Sequence, residues 1–223
     1  RLANRFVIQP MEGWDGESDG RPGELTLRRW RAFGRSGAAW IWGGEAVAVR
    51  PDGRANPRQL VLTEATAPAL GALRRELVAA ASEAGAGEPL VGLQLTHSGR
   101  WSRPGPASRA PRIAFRHTLL DARVAVDSDQ AVLSDAELEE LIGCFAGAAR
   151  LAWQEGFEFV DIKHCHGYLL HELLAARARP GRFGGTALEA RMRFALAAVR
   201  AVRQAAPGLA IGVRLSGFDA LPH

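Results

Sequence analysis

The stretch Ser134–Tyr168, SDAELEELIGCFAGAARLAWQEGFEFVDIKHCHGY, holds one complete folding unit. Ser134 and Glu137 form a capping box, and Leu133 with Leu138 makes the matching hydrophobic staple. Leu138, Leu141, Phe145, Ala148 and Ala152 then recur on one helical face. Gly156 stands where a C-terminal glycine ends a helix. Phe157–Ile162 follows as an apolar run of strand length, and it ends in the polar tip Lys163–Tyr168. A helix, a glycine stop, a buried strand and a polar tip make half of a parallel β/α repeat.

The same grammar runs outward in both directions. Arg5–Gln9 reads as a strand ending at Pro10, and Leu25–Arg35 as a helix with Gly37 behind it. Ala38–Trp42 reads as a strand stopped by Gly43-Gly44. Leu70, Leu73, Leu77, Ala81 and Ala84 form a helical stripe, and Leu90–Leu95 is the next strand. Beyond the central unit lie a helix at Leu188–Arg203 and a strand at Leu209–Leu215. Ser98–Asp127, rich in Pro, Arg and Ser, reads as an elaborated loop with little regular structure. Alternating strands and helices require parallel strands with right-handed crossovers. No G-x-G-x-x-G follows any strand, so an open dinucleotide-binding sheet lacks its fingerprint. Every strand instead ends in polar or glycine-rich residues, which a barrel gathers on one face.

The expected fold is therefore α/β, a (β/α)8 TIM barrel, with residues 1–223 forming one domain. A full barrel needs eight strands in about 250 residues. About five strand–helix units are legible, so the barrel is expected to be incomplete, truncated at its C-terminal side.

Apolar residues make up 47% and charged residues 23%, the balance of a globular chain with a sizeable core. No apolar run nears the length of a membrane span, and Arg1–Pro10 has no signal-peptide layout. The net charge of +4 comes from scattered arginines without a basic run, which argues against nucleic acid. Cys144 and Cys165 cannot build a disulfide framework, so a cytoplasmic setting is expected. One lysine, Lys163, stands among 28 basic residues, and the single tyrosine, Tyr168, lies close to it in sequence.

Gly156–Leu174, GFEFVDIKHCHGYLLHELL, resembles the signature of the Old Yellow Enzyme family, flavin-dependent NAD(P)H oxidoreductases related to the 2,4-dienoyl-CoA reductases. The likeness continues in order through Asn4–Met11 (NRFVIQPM), Gln94–Arg100 (QLTHSGR), Arg182–Phe194 (RFGGTALEARMRF) and Gly212–Ser216 (GVRLS). The resemblance implies FMN as prosthetic group and NAD(P)H as electron donor. Hydride would pass to an activated alkene or unsaturated carbonyl, a small-molecule substrate, with homo-oligomerisation left open. A 4Fe-4S cluster is implied only if residues beyond His223 carry cysteines.

Residue by residue, the resemblance puts Gln9, Pro10, Met11 and Glu12 along one side of the flavin and Ala46 close to it. Gln94 meets the pyrimidine edge, and Arg214 the edge where the reduced ring carries negative charge. His166 and Tyr168 match the second member of the family's carbonyl-binding pair and its proton-donating tyrosine. Lys163 stands where the family has the first histidine, and its ammonium would stabilise an enolate-like oxygen and favour anionic or strongly polarised substrates. Glu12 replaces a small residue and could pair with Lys163; Trp14 would help to cover the substrate. His97 would support flavin or substrate, or make a rim hydrogen bond. Other readings of the cluster are a Schiff-base lysine, a metal held by His164 and His166 with Cys165 or His171, and a purely structural network. For the whole protein the alternatives are a dehydrogenase or demethylase of the same family, or a ligand-binding barrel without turnover.

Overall fold

A computed structural model describes residues 2–107 and 109–218. The chain order is β1 (Val7–Ile8), α1 (Glu24–Arg35), β2 (Trp40–Ile41), β3 (Ala46–Ala48), α2 (Ala67–Glu83), β4 (Leu90–Thr96), α3 (Thr118–Val124), α4 (Asp135–Gln154), β5 (Phe159–His164), α5 (Leu169–Ala175), α6 (Leu188–Ala205) and β6 (Ala210–Leu215). All strand pairings are parallel, in the order β1-β2-β4-β5-β6, with β3 also on β4. The order never reverses. An open doubly wound sheet would show a switch point where it does, so this sheet is the arc of a barrel.

Side chains alternate across each strand. Ile41, Val47, Val91, Leu93, Leu95, Val160 and Ile162 point outward and pack with Trp30, Leu77, Phe145, Phe194 and Val202 of the helices. The other face is the inside of the barrel, and it is layered. Trp40, Trp42 and Phe159 fill its lower end, with ring centroids 4.5–5.7 Å apart. Gly92 is required there, because a Cβ would stand 2.5 Å from the Phe159 ring. Gln94 and Asp161 form the next layer, in register. Lys163 and Arg214, also in register, form the layer at the carboxyl ends.

The capping box at Ser134 is present, with Glu137 N–H donating to Ser134 Oγ at 3.2 Å. Several expectations need correction. The strand beginning near Ala38 does not stop at Gly43-Gly44. It resumes as β3 after a bulge in which Trp42–Glu45 lie opposite only Gly92 and Leu93. Gly43 makes that possible with φ +136, and a Cβ there would sit 2.8 Å from the Gln94 nitrogen. The strand expected at Phe157–Ile162 runs from Phe159 to His164, so Lys163 belongs to the strand itself.

Ser98–Asp127 is not irregular throughout, since it contains α3. Its anchor is Arg100, fully buried, which donates to Glu172, Asp121 and the Phe115 carbonyl. A buried guanidinium meeting two carboxylates ties the excursion to α5, and no sequence period announces such a contact. The helix α5 was also not legible; at seven residues it is too short to show a period. Among the described residues no helix is long and apolar enough to cross a membrane, and both cysteines are free.

Candidate active site

The carboxyl ends of β1, β4, β5 and β6 meet around one group of side chains. Lys163 projects inward from β5 and is 5% exposed. Its Nζ lies 4.0 Å from the Tyr168 ring centroid and 3.9 Å from Glu12 Oε2. The Tyr168 hydroxyl donates to the same Glu12 oxygen at 2.7 Å. The lone lysine and the lone tyrosine are thus stacked, and a carboxylate from the β1 end joins them. The pairing of Glu12 with Lys163 that the sequence allowed is present.

Burial governs the protonation of this cluster. It pushes the Glu12 carboxyl up against the opposing pull of Lys163 and Tyr168. It draws the Lys163 ammonium down, with Glu12 resisting. Tyr168 is pushed far up by burial and then by the charge and hydrogen bond of Glu12. Acid and amine both move toward neutrality because a partly desolvated pair loses hydration that its attraction does not restore in full.

His166 lies just beyond β5, exposed, with φ +63. A left-handed conformation is uncommon for a residue with a Cβ. Here His166 and Gly167, φ +68, turn the chain sharply from strand to α5. The His166 N–H faces Ser216 Oγ at 3.4 Å, and the Gly167 N–H donates to His171 Nδ1 at 2.8 Å. Burial and the nearby cations Lys163 and Arg214 lower the His166 pKa. His164 points to the other side of the strand, buried, with Nδ1 3.0 Å from the Ile162 carbonyl. Strand alternation therefore separates His164 from Lys163.

Gln94 is buried and donates to Asp161 Oδ2 at 2.6 Å, while Asp161 Oδ1 has no hydrogen-bond partner. Asp161 was not singled out in the sequence, although its place two residues before Lys163 puts both on one face of the strand. Arg214 faces inward from β6 beside Lys163 and has no carboxylate partner among the described residues. Ala46 and Ala48 lie in register with Gln94 and Thr96, outside the helix-side core, so small side chains border this part of the interior. Gln9 and Met11 are exposed and Pro10 half-buried; the Met11 carbonyl accepts from the Ala46 N–H at 2.7 Å. Trp14 is 62% exposed and lies outside the lining of the mouth cavity. That cavity, of 280 Å³, is lined by Glu12, Ala55, Trp101, Arg109, His166 and Tyr168.

Glu12 is placed by a network that the sequence did not reveal. Glu45, fully buried, accepts from the Gly13 N–H at 2.7 Å and from Arg29 at 2.6 Å, and Arg29 also binds Asp15. His97 is buried at the end of β4, with Nε2 3.6 Å from Asp52, so it serves the rim and not the Lys163 cluster.

FMN fits the residues present. The inner face offers an amide at Gln94, a guanidinium without a carboxylate partner at Arg214, an unpartnered carboxylate oxygen at Asp161, and small residues at Ala46 and Ala48. Hydrogen-bonding groups beside a fixed cation match the polar edge of an isoalloxazine.

The chain is similar to known proteins over nearly its whole length. NADPH dehydrogenase from Geobacillus sp. (strain WCH70) is 31% identical over 233 residues, covering 100% of this chain and 62% of the relative. NADPH dehydrogenase from Bacillus subtilis (strain 168) is 28% identical, covering 98% and 61%. The chain thus spans about three-fifths of the length of these curated relatives. Among solved structures, the old yellow enzyme from Trypanosoma cruzi superposes with a TM-score of 0.73 at 22% identity, over 99% of this chain and 63% of that one. A 2-naphthoyl-CoA reductase superposes at 0.77 and 19% identity, over 96% and 33%. These likenesses show the fold, a part of a (β/α)8 barrel. The family description NADH:flavin oxidoreductase / NADH oxidase matches residues 1–222, and the chain belongs to that family.

Proposed function

We propose that the protein containing this chain is an FMN-dependent NAD(P)H oxidoreductase acting on an activated alkene or unsaturated carbonyl. The observation that carries this reading is the stacking of Lys163 on Tyr168 beside His166, in the layer directly above Gln94 and Asp161. When bound, FMN supplies two-electron hydride exchange between the nicotinamide and the substrate. Gln94, Arg214, Ala46 and the segment Gln9–Glu12 are the residues that would hold it. Arg214 favours negative charge on its ligand. Lys163 and His166 donate hydrogen bonds to a substrate oxygen and stabilise charge developing on it. Tyr168 carries the proton for the α-carbon, and Glu12 fixes the direction of its hydroxyl.

The test uses the full-length protein. Purified or reconstituted with FMN, it should be yellow, absorbing at about 450 nm as oxidised flavins do. Anaerobic NADPH should bleach it, and an enone should restore the colour. A protein that stays colourless with FMN overturns the reading.

One observation favours a second reading, in which hydride leaves the substrate. The Tyr168 hydroxyl donates a hydrogen bond to Glu12, an arrangement that suits Tyr168 to relay a proton away from a substrate. Bleaching by a saturated substrate, and not by NADPH, would identify that direction.

A further inference from the structure

Several arginines near the barrel mouth or in the interior meet carboxylates: Arg29 pairs with Asp15 and Glu45, Arg100 with Asp121 and Glu172, and Arg179 with Asp135. Arg109 does not. Its guanidinium carbon lies 5.2 Å from the Trp101 ring centroid, and among the described residues it has no carboxylate within ion-pair distance. Stacking on an indole holds a guanidinium in place while leaving its N–H donors free. Those donors border the 280 Å³ mouth cavity together with His166 and Tyr168. Lys163 stacks on the Tyr168 ring that lines this cavity. Glu12 is its lining carboxylate, and it is occupied by the Tyr168 hydroxyl and faces Lys163. Arg109 and Lys163 against one engaged acid leave the mouth with uncompensated positive charge.

We propose that the substrate is an unsaturated carbonyl compound bearing its own carboxylate, and that Arg109, stacked on Trp101, anchors that carboxylate. This rests on the oxidoreductase reading above and adds the substrate class. A guanidinium fork matches a carboxylate through paired hydrogen bonds. The small volume suits a compact acid, and the presence of Glu12 disfavours a more highly charged anion. The reacting carbonyl falls to His166 and Lys163, which leaves Arg109 a specificity role apart from the chemistry.

The test is calorimetric titration of the oxidised, FMN-loaded full-length protein with monoethyl fumarate and with diethyl fumarate. Both carry the same unsaturated ester, and only the first has a free carboxylate. The native protein should bind the half-ester about fivefold more tightly, the upper end for one exposed ion pair. Arg109→Gln should abolish the preference without weakening the diester, and Arg109→Lys should keep part of it. Raising salt should narrow the gap. Equal affinity for the two esters, a preference that survives Arg109→Gln, or no binding of either ester overturns the inference. A yellow, NADPH-reducible protein that reduces the diester without preferring the half-ester sinks this inference alone. A protein that binds no FMN sinks the reading beneath it.

Discussion

The Tyr168 hydroxyl and the Glu12 carboxylate lie 156 residues apart in the chain and 2.7 Å apart in the fold. Everything proposed for the chemistry depends on the strand ends that bring them together. In Tyr168→Phe, the proton for the α-carbon loses its carrier, while the groups assigned to the flavin keep theirs. Enone reduction should fall about 10²-fold or more, the usual worth of a positioned acid. Flavin reduction by NADPH should stay within a few-fold of native. Stopped-flow measurement of the two half-reactions separates them, and an equal loss in both would remove Tyr168 from the proton step.

Glu45 stabilises the Met11–Gly13 turn and titrates in an accessible range. Burial, opposed by Arg29, pushes its pKa from the ordinary 4.5 to about 7. Between those values the folded protein holds a proton on Glu45 that the unfolded chain has released. Stability contributed in this way is present at the acid end and is lost as the pH rises toward 7. Read from urea titrations of the full-length protein, the unfolding free energy of the native protein should therefore fall relative to Glu45→Gln over that window, by an amount on the order of 3 kcal/mol, because the lowered pKa values of His97, His164 and His166, which act with the opposite sign, are common to both. Glu45→Gln keeps an acceptor for Gly13 and should flatten the slope. Glu12 and Glu172, also pushed up by burial, contribute with the same sign and leave a residue of it.

Arg100→Gln should be among the costliest substitutions. It leaves Glu172 buried without its cation and Asp121 with Arg116 alone, and breaking such a buried pair costs about 3–5 kcal/mol. Limited proteolysis should then cut first within residues 102–128, the excursion that Arg100 holds. A variant with native melting temperature and native resistance would contradict the anchor role.

Gly43→Ala tests the bulge. At φ +136 a side chain is strained by about 1–3 kcal/mol, and the added Cβ meets the Gln94 backbone at 2.8 Å. Because Gln94 lies in the proposed flavin layer, FMN affinity should drop together with thermal stability. The control is Gly37→Ala, at φ +71 with open space around it. That change should cost stability and leave FMN binding intact.

The long helices α1, α2, α4 and α6 were legible because each carries its own period. Ser134, Glu137 and Gly156 delimit α4 without reference to any other part of the chain. The parallel arrangement followed from alternation, and the motifs around Lys163, Gln94 and Arg214 placed those residues at strand ends. Local pattern could not show β3, because Gly43-Gly44 looks like a stop until β4 is present to pair with both sides of the bulge. It could not show α5 or the helix inside Ser98–Asp127, which are short and held by the Arg100 contacts. Nor could it show Arg109: an arginine in a loop has no distinguishing mark until the Trp101 ring lies beneath it.

The amino-acid sequence alone determined the order of strands and helices, the residues at the strand ends and the unusual single lysine and tyrosine. These are properties of neighbours along the chain, set by periodicity, capping and residue type. Only the tertiary structure decided that Glu12 accepts the hydrogen bond of the Tyr168 hydroxyl, that Lys163 lies on the Tyr168 ring and that His164 turns away from both. Those contacts join residues from separate strands, and side-chain direction there depends on the register and the alternation of the closed arc. Hydrogen bonding and burial act through space, so the protonation of the site is a property of the packed barrel mouth.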